Sequence, residues 1–161
     1  LGALNGHLGG SEYLRTIHDK IQGPIPHLNM ELEIGVQELC LEAIKKGIVK
    51  SAHDLSDGGL AVNISESLVW SSLALGAKLD VTRILRNDEL LFGECQSLII
   101  VTLEESALYE LILLSKKLDV HTQTIGRVTE TGRLVINDLI DMPRKKLENA
   151  YFNSLQRILA H

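Results

Sequence analysis

Residues 48–70 read IVKSAHDLSDGGLAVNISESLVW, a stretch in which two kinds of local pattern follow one another. Its opening, IVKSAHD, is typical of a short strand. The part that follows the glycine pair is typical of a helix, because Leu60, Ile64 and Leu68 recur at helical spacing. A polar turn with two aspartates separates the two elements. The stretch therefore predicts a strand, a turn and a helix, the unit from which α/β proteins are built.

The rest of the chain predicts further strands and helices in mixed order. Ser11 and Asn29 are each expected to cap a helix, and the β-branched run at 98–103 is typical of a strand buried on both faces. Segments 120–130 and 132–138 predict a β-hairpin, and a helix is expected to begin near Pro143. The predicted apolar helical positions are Leu32, Val36, Leu39, Ala43 and Ile44 in one helix and Leu147, Tyr151, Leu155 and Ile158 in the other, with Trp70 and Phe152 as core residues. The sequence thus predicts a mixed α/β fold, a central mixed sheet flanked by helices, in a single domain over 1–161.

Composition limits the classes of function. Hydrophobic residues make up 45% of the 161 residues but aromatic ones only 4%, so the core should be aliphatic. The formal net charge of −5, without a long basic cluster, argues against nucleic-acid binding. No apolar run approaches the ~18 residues that a membrane span needs. The two cysteines, Cys40 and Cys95, form no metal or redox motif, and their scarcity fits a cytoplasmic location.

The chain begins at Leu1 rather than at Met. We expect it to be a piece of a longer protein. An excised domain exposes apolar faces that once met its neighbours, so self-association of the isolated piece is also expected.

The turn at residues 54–59 admits two interpretations. Amides at a helix start attract anions, and Asp54 and Asp57 could hold a hard cation beside a phosphate. Alternatively, Asp57 is only a helix cap, and Gly58 and Gly59 only allow tight packing. The residues alone leave both interpretations open.

Other polar segments carry weaker signals. Glu94, Cys95, Gln96 and Ser97 precede the strand at 98–103, where they could face a cleft or only satisfy neighbouring backbone. The segment HLGGSEYL at 7–14 lacks the spacing of a phosphate-binding P-loop. The histidines are scattered, and Cys95 has no base nearby in sequence, so we predict no catalytic residue in this chain.

Three segments taken in order resemble one known family. They are LGGSEYL at 8–14, KSAHDLSDGGLAVNISES at 50–67 and LLFGECQSLIIV at 90–101. Together they are similar to the last domain of the formylglycinamidine ribonucleotide synthetases of purine biosynthesis. That domain is a C-terminal-type domain of the aminoimidazole ribonucleotide synthetase superfamily. The resemblance covers nearly the whole chain, and TIGRVTE at 124–130 looks like the closing strand of the family's domain.

The resemblance implies a function for the longer protein. In the family, ATP activates the amide oxygen of formylglycinamide ribonucleotide, and ammonia from a glutaminase displaces phosphate. The implied cofactors are therefore ATP and Mg²⁺, and the implied partners are the preceding domains of the same chain and a glutaminase. The family's catalytic histidine lies in an earlier segment, so the isolated chain is expected to be inactive.

The resemblance also implies the site residues. Asp54 matches the family's magnesium-binding aspartate, and Ser56 matches its nucleotide-binding serine. The loop's shape extends the nucleotide site to Asp57, Gly58 and Gly59. This pair of motif positions belongs to the second, structural nucleotide site of the family.

The sequence departs from the family at Cys95, where relatives commonly carry serine. A thiol bonds more weakly than a hydroxyl, which argues against a substrate role for this position. Two alternatives remain: the matching domain of aminoimidazole ribonucleotide synthetase, a cyclo-ligase that LGGSEY argues against, and a non-catalytic interaction domain.

Overall fold

The computed structural model describes residues 1–159. The helices are Glu12–His18 (α1), Met30–Lys45 (α2), Gly59–Trp70 (α3), Asn87–Phe92 (α4), Leu108–Lys117 (α5), Arg144–Phe152 (α6) and Ser154–Leu159 (α7), with a 3-10 turn at Glu105–Ala107. The strands are Val49–Asp54 (β1), Gly76–Leu79 (β2), Ile99–Leu103 (β3), Gly126–Thr129 (β4), Arg133–Ile136 (β5) and Ile140–Pro143 (β6). Within the described part of the chain, no helix is both long and apolar enough to cross a membrane.

The predicted mixed α/β class is confirmed, with the described strands divided over two sheets. β1 pairs with β3 in an antiparallel two-stranded sheet. The other sheet has the order β4-β2-β5-β6, in which β2 runs antiparallel to β4 and parallel to β5. Parallel and antiparallel pairs thus coexist in one sheet, as a mixed sheet requires.

The predicted hairpin between segments 120–130 and 132–138 is wrong. β4 and β5 lie close in sequence, but β2 lies between them and pairs with both. The backbone of Gly76 approaches Arg133 so closely that a Cβ there would lie 2.5 Å from the Arg133 carbonyl oxygen. The hairpin that does form joins β5 to β6, with Ile136 opposite Ile140. The turn residues between β4 and β5 predicted that these two strands pair with each other, but they gave no indication that the distant strand β2 lies between them.

The chain divides into two compact units. Unit 1 comprises Leu1–Asn63 and Ile84–Thr124. Unit 2 comprises Ile64–Arg83 and the described residues from 125 onward. Each unit is therefore built from two separate stretches of chain. The single domain over 1–161 stays a prediction.

The core of unit 1 forms around α2. The buried cluster contains Val36, Leu39, Ala43, Ile48, Leu111 and Val120. Ile44 is 48% exposed and lies outside the buried face, contrary to the predicted stripe. β3 is half-buried along its whole length rather than buried on both faces, because its described pairing is with β1 alone. The apolar run therefore indicated the strand correctly but overstated its burial.

Unit 2 buries Leu134 and Ile136 of β5 but not its large aromatic residues. Trp70 is 67% exposed and Phe152 is 56% exposed, so the prediction that both are core residues is wrong. The indole Nε1 of Trp70 donates a hydrogen bond to the hydroxyl of Tyr151 at 3.2 Å. The predicted helix after Pro143 is interrupted at Asn153, and its apolar positions Leu155 and Ile158 are exposed. Periodicity identifies an apolar face but not what covers it.

The predicted cap of α2 is present and gives a direct test. The side-chain Oδ1 of Asn29 accepts hydrogen bonds from the amides of Glu31 at 3.0 Å and Leu32 at 3.1 Å. Because these amides have no partner inside the helix, Asn29→Ala should lower the free energy of unfolding by about 1 kcal/mol. Urea denaturation would measure the change. Asn29→Asp keeps a capping oxygen and should therefore retain most of the stability of the unsubstituted chain. An equal loss in both variants would contradict the capping role.

Candidate functional site

The strand, turn and helix predicted for residues 48–70 are confirmed. β1 ends at Asp54 and α3 begins at Gly59. The side chains of Asp54, Ser56 and Asp57 are exposed, whereas Gly58 and Gly59 are buried. The turn therefore presents its carboxylates and hydroxyl outward and packs its glycines inward.

Close packing explains the glycine pair. Gly59 has a φ of +67°, and a Cβ there would lie 2.7 Å from the carbonyl carbon of Phe92 and 2.8 Å from the carbonyl oxygen of Gly93. Gly58 has a φ of +80°, and its Cβ would lie 2.5 Å from a methyl group of Val62. Only glycine adopts such a backbone conformation without cost. The tight-packing interpretation therefore accounts for both residues.

Glu94 joins the three motifs. Its Oε1 accepts a hydrogen bond from the amide of Gly58 at 2.8 Å and another from the amide of Glu12 at 2.8 Å. Its own amide donates to the carbonyl of His7 at 2.7 Å. Of the two sequence interpretations of Glu94, the geometry supports the satisfaction of backbone groups. We call the contacts of Glu94 with His7, Glu12 and Gly58 the motif junction.

The motif junction limits how an anion could use the glycine amides. The amide of Gly58 donates to Glu94, and the amide of Gly59 donates to the carbonyl of Ser56 at 3.1 Å. A phosphate on the Gly58 amide would have to replace the carboxylate of Glu94. The exposed side chains of Asp54, Ser56 and Asp57 need no such replacement.

The side chain of Asp54 is exposed, and its carboxylate is not used to fix the end of β1. Within residues 1–159, no group of three or more His, Cys, Asp and Glu side chains could hold a metal ion. Mg²⁺ commonly takes only one or two carboxylates and completes its shell with phosphates and water. The backbone carbonyl of Asp54 accepts a hydrogen bond from Asn63 Nδ2 at 2.6 Å, which fixes the strand end without using the carboxylate. Asp54 and Asp57 could therefore supply the protein ligands of such an ion.

The rest of the segment 94–97 mostly serves internal contacts. The buried thiol of Cys95 donates to Oδ1 of Asn5. Ser97 has a φ of +59°, and its hydroxyl donates to Oε2 of Glu33 at 2.6 Å. Among these four residues, only the side chain of Gln96 is exposed. The contact of Glu33 could not be predicted from the sequence, because its partner Ser97 is distant along the chain.

Helix α1 brings charge close to the turn. Its predicted cap is present, since Ser11 Oγ accepts from the amide of Leu14 at 3.3 Å. The guanidinium of Arg15 donates hydrogen bonds to the Glu12 carboxylate, which raises the pKa of Arg15, and the charge of Asp57 adds a smaller contribution in the same direction. The amide of Glu12 shares its acceptor, Oε1 of Glu94, with the amide of Gly58, so the start of α1 lies beside the turn.

Comparison with known families decides the relationship. Residues 3–138 match the family described as AIR synthase related protein, C-terminal domain. The chain belongs to that family. The match of this AIR synthase-related C-terminal domain contains all three motifs and the motif junction, and it confirms the resemblance to the superfamily.

Individual proteins show which members of the family the chain resembles. The chain is 40% identical over 166 aligned residues to phosphoribosylformylglycinamidine synthase subunit PurL of Alkaliphilus metalliredigens, covering 99% of this chain and 22% of that protein. A structure of phosphoribosylformylglycinamidine synthase II from Thermotoga maritima matches with a TM-score of 0.67 at 20% identity, over 89% of this chain and 24% of that one. Thermotoga maritima PurL complexed with ATP matches with a TM-score of 0.63 at 19% identity, over 88% and 24% of the two chains. The AIR synthase-related domain thus spans about a fifth of the length of the curated relatives it matches.

Proposed function

We propose that this chain is the C-terminal domain of an ATP-dependent synthetase that converts formylglycinamide ribonucleotide to formylglycinamidine ribonucleotide, with ammonia derived from glutamine. One observation carries the proposal: the 40% identity to a phosphoribosylformylglycinamidine synthase subunit extends over 99% of the chain. The motif junction supports it, because one carboxylate brings the three family motifs together.

The domain's own part in the reaction is nucleotide binding. Asp54 binds Mg²⁺ together with nucleotide phosphate, and the hydroxyl of Ser56 and the turn through Asp57 contact the nucleotide. Gly58 and Gly59 contribute the backbone conformation that directs these side chains outward. When bound, the metal would neutralise phosphate charge. The catalytic groups belong to the preceding domains, so this chain alone is inactive.

The partners and the cellular location that we propose for the domain follow from the same role. Its partners are the preceding synthetase domains and a glutaminase that supplies ammonia, and its location is cytoplasmic. The cyclo-ligase of the same superfamily is the second candidate, since the family's description covers it. LGGSEY at 8–13 and the identity to synthase subunits favour the first candidate.

The test uses a full-length synthetase in which this chain replaces the matching 22% of the Alkaliphilus metalliredigens protein. We expect the chimera to form the amidine product with consumption of ATP. A folded chimera that binds nucleotide but forms no product would refute the proposed synthetase role.

The metal assignment has its own test in the same chimera. Asp54→Ala should lower the amount of ADP bound at saturation by the share that the second, structural nucleotide site holds in the presence of Mg²⁺, measured by equilibrium dialysis with and without Mg²⁺, because the cation at that site loses its protein ligand. Asp80→Ala, a change at another exposed aspartate, is the control and should bind like the unsubstituted chimera. Unchanged ADP binding in Asp54→Ala would leave the turn as a packing element and favour the non-catalytic interaction domain.

A further inference from the structure

We propose that Glu94 is the positioning residue that holds the turn at 54–59 in the arrangement from which Asp54 and Ser56 reach a nucleotide. The inference rests on the proposed function and assigns a role to a side chain that contacts neither the metal nor the phosphate. The role depends on where one oxygen atom lies, not on chemistry at the ligand.

One oxygen of Glu94 accepts hydrogen bonds from two backbone amides that are distant along the chain. Oε1 of Glu94 accepts from the amide of Glu12, 82 residues away, and from the amide of Gly58, 36 residues away. Both distances are 2.8 Å, in the range of strong hydrogen bonds to a charged acceptor. A single side chain therefore sets the distance between the start of α1 and the turn.

The backbone around Glu94 has little freedom. The amide of Glu94 donates to the carbonyl of His7 at 2.7 Å. A Cβ on Gly93 would lie 2.7 Å from Cα of Gly6, and a Cβ on Gly59 would lie 2.8 Å from Cα of Phe92. Because these backbones are closely packed, the backbone of Glu94 has little room to move, and its carboxylate lies between the two amides from which it accepts. That acceptor in turn restrains the amide of Gly58.

Glu94 positions the turn, whereas other side chains are available to bind the ligand. Since Gly58 donates its amide to Glu94, the turn's outward ligand groups are the side chains of Asp54, Ser56 and Asp57. These groups can bind a metal–phosphate pair tightly only if the turn holds them in place before the ligand arrives. Loss of the Glu94 acceptor releases the turn and adds that ordering cost to binding.

The experiment compares three substitutions at position 94 in the chimeric synthetase. Glu94→Ala removes the acceptor, Glu94→Asp keeps the charge but withdraws the oxygen, and Glu94→Gln keeps a carbonyl oxygen that can accept both amides. We expect the Kd for Mg²⁺–ADP at the second, structural nucleotide site to rise about 10- to 100-fold in the first two variants, the range that a charge-assisted hydrogen bond covers. Glu94→Gln should raise that Kd less, by about 3- to 10-fold, because a neutral acceptor in the same place makes hydrogen bonds about half as strong.

Hydrogen exchange distinguishes a local release of the turn from a general loss of stability. Peptides that contain Gly58 and Glu12 should exchange faster in Glu94→Ala and Glu94→Asp than in Glu94→Gln, while peptides from β2 and β5 keep their protection. Glu110→Ala, at an exposed glutamate of the same unit, is the matched control and should change neither Kd nor exchange. If Glu94→Ala does not fold, the pair Glu94→Asp and Glu94→Gln decides the question.

Two results would overturn the inference. One is an unchanged Kd in folded Glu94→Asp, and the other is a Kd in Glu94→Gln raised as much as in Glu94→Asp, which would assign the effect to charge instead of position. Failure of the proposed function is a separate observation, because it would appear as an unsubstituted chimera that is inactive. In that case the hydrogen-exchange pattern would still report whether Glu94 holds the motif junction together.

Discussion

Gly59→Ala is expected to lower the free energy of unfolding by about 2–5 kcal/mol. The positive φ of +67° costs an alanine about 1–2 kcal/mol. The new methyl group would also lie 2.7 Å from the carbonyl carbon of Phe92. That backbone cannot rotate away as a side chain could, so overpacking adds about 1–3 kcal/mol. Urea denaturation followed by circular dichroism would measure the sum.

Gly47→Ala is the matched control for this prediction. Gly47 has a similar φ of +71°, but a Cβ there would meet nothing within 4 Å. It should therefore show only the conformational cost, about 1–2 kcal/mol. Equal losses at the two positions would mean that the contact with Phe92 and Gly93 is not what requires glycine at position 59.

Leu39→Ala should also lower the free energy of unfolding by about 2–5 kcal/mol. Leu39 is 0% exposed, in the cluster that α2 forms with Leu111 and Val120. Truncation to alanine loses the transfer free energy of the removed atoms and leaves a cavity that its neighbours fill only in part. Chemical denaturation of the purified chain would give the value from the shift in midpoint.

The control for Leu39 lies on the same helix. Leu41 is 56% exposed, so Leu41→Ala should change the free energy of unfolding by no more than about 0.5 kcal/mol. If both leucines cost the same, the burial difference between the two faces of α2 would be contradicted.

Local chemistry predicted the elements of this fold well. Asn29 and Ser11 were recognised as helix caps because a cap acts on amides two or three residues away. β1 and α3 followed from a change of periodicity around a glycine pair. Such signals lie within one short window of sequence.

Pairing and burial depend on residues outside such a window. β2 lies between β4 and β5, although Thr131 and Gly132 suggested a hairpin there, because pairing with a distant strand competes with pairing across the turn. Trp70 was expected in the core from its size, yet it lies exposed and contacts Tyr151 edge-on. Residue type alone did not reveal which face of α3 would be covered.

The candidate site shows the same division. Asp54, Ser56 and the glycines could be selected from the sequence, because the turn concentrates them in a few residues. The role of Glu94 could not, since its partners Glu12 and Gly58 are distant along the chain. A carboxylate shortly before a buried strand gives no indication of which amides it will meet.

The residues of the two units become available at different times during synthesis. All residues of unit 1 have been made once the ribosome passes residue 124, whereas β2 must wait until 129 and 134 have emerged to complete its pairing. Contacts between residues so far apart in sequence form slowly, because a long loop must close first. A nascent chain halted soon after residue 124 would therefore hold all the residues of unit 1 and a β2 segment whose partners β4 and β5 have not yet been made, and such unpaired strand edges favour aggregation.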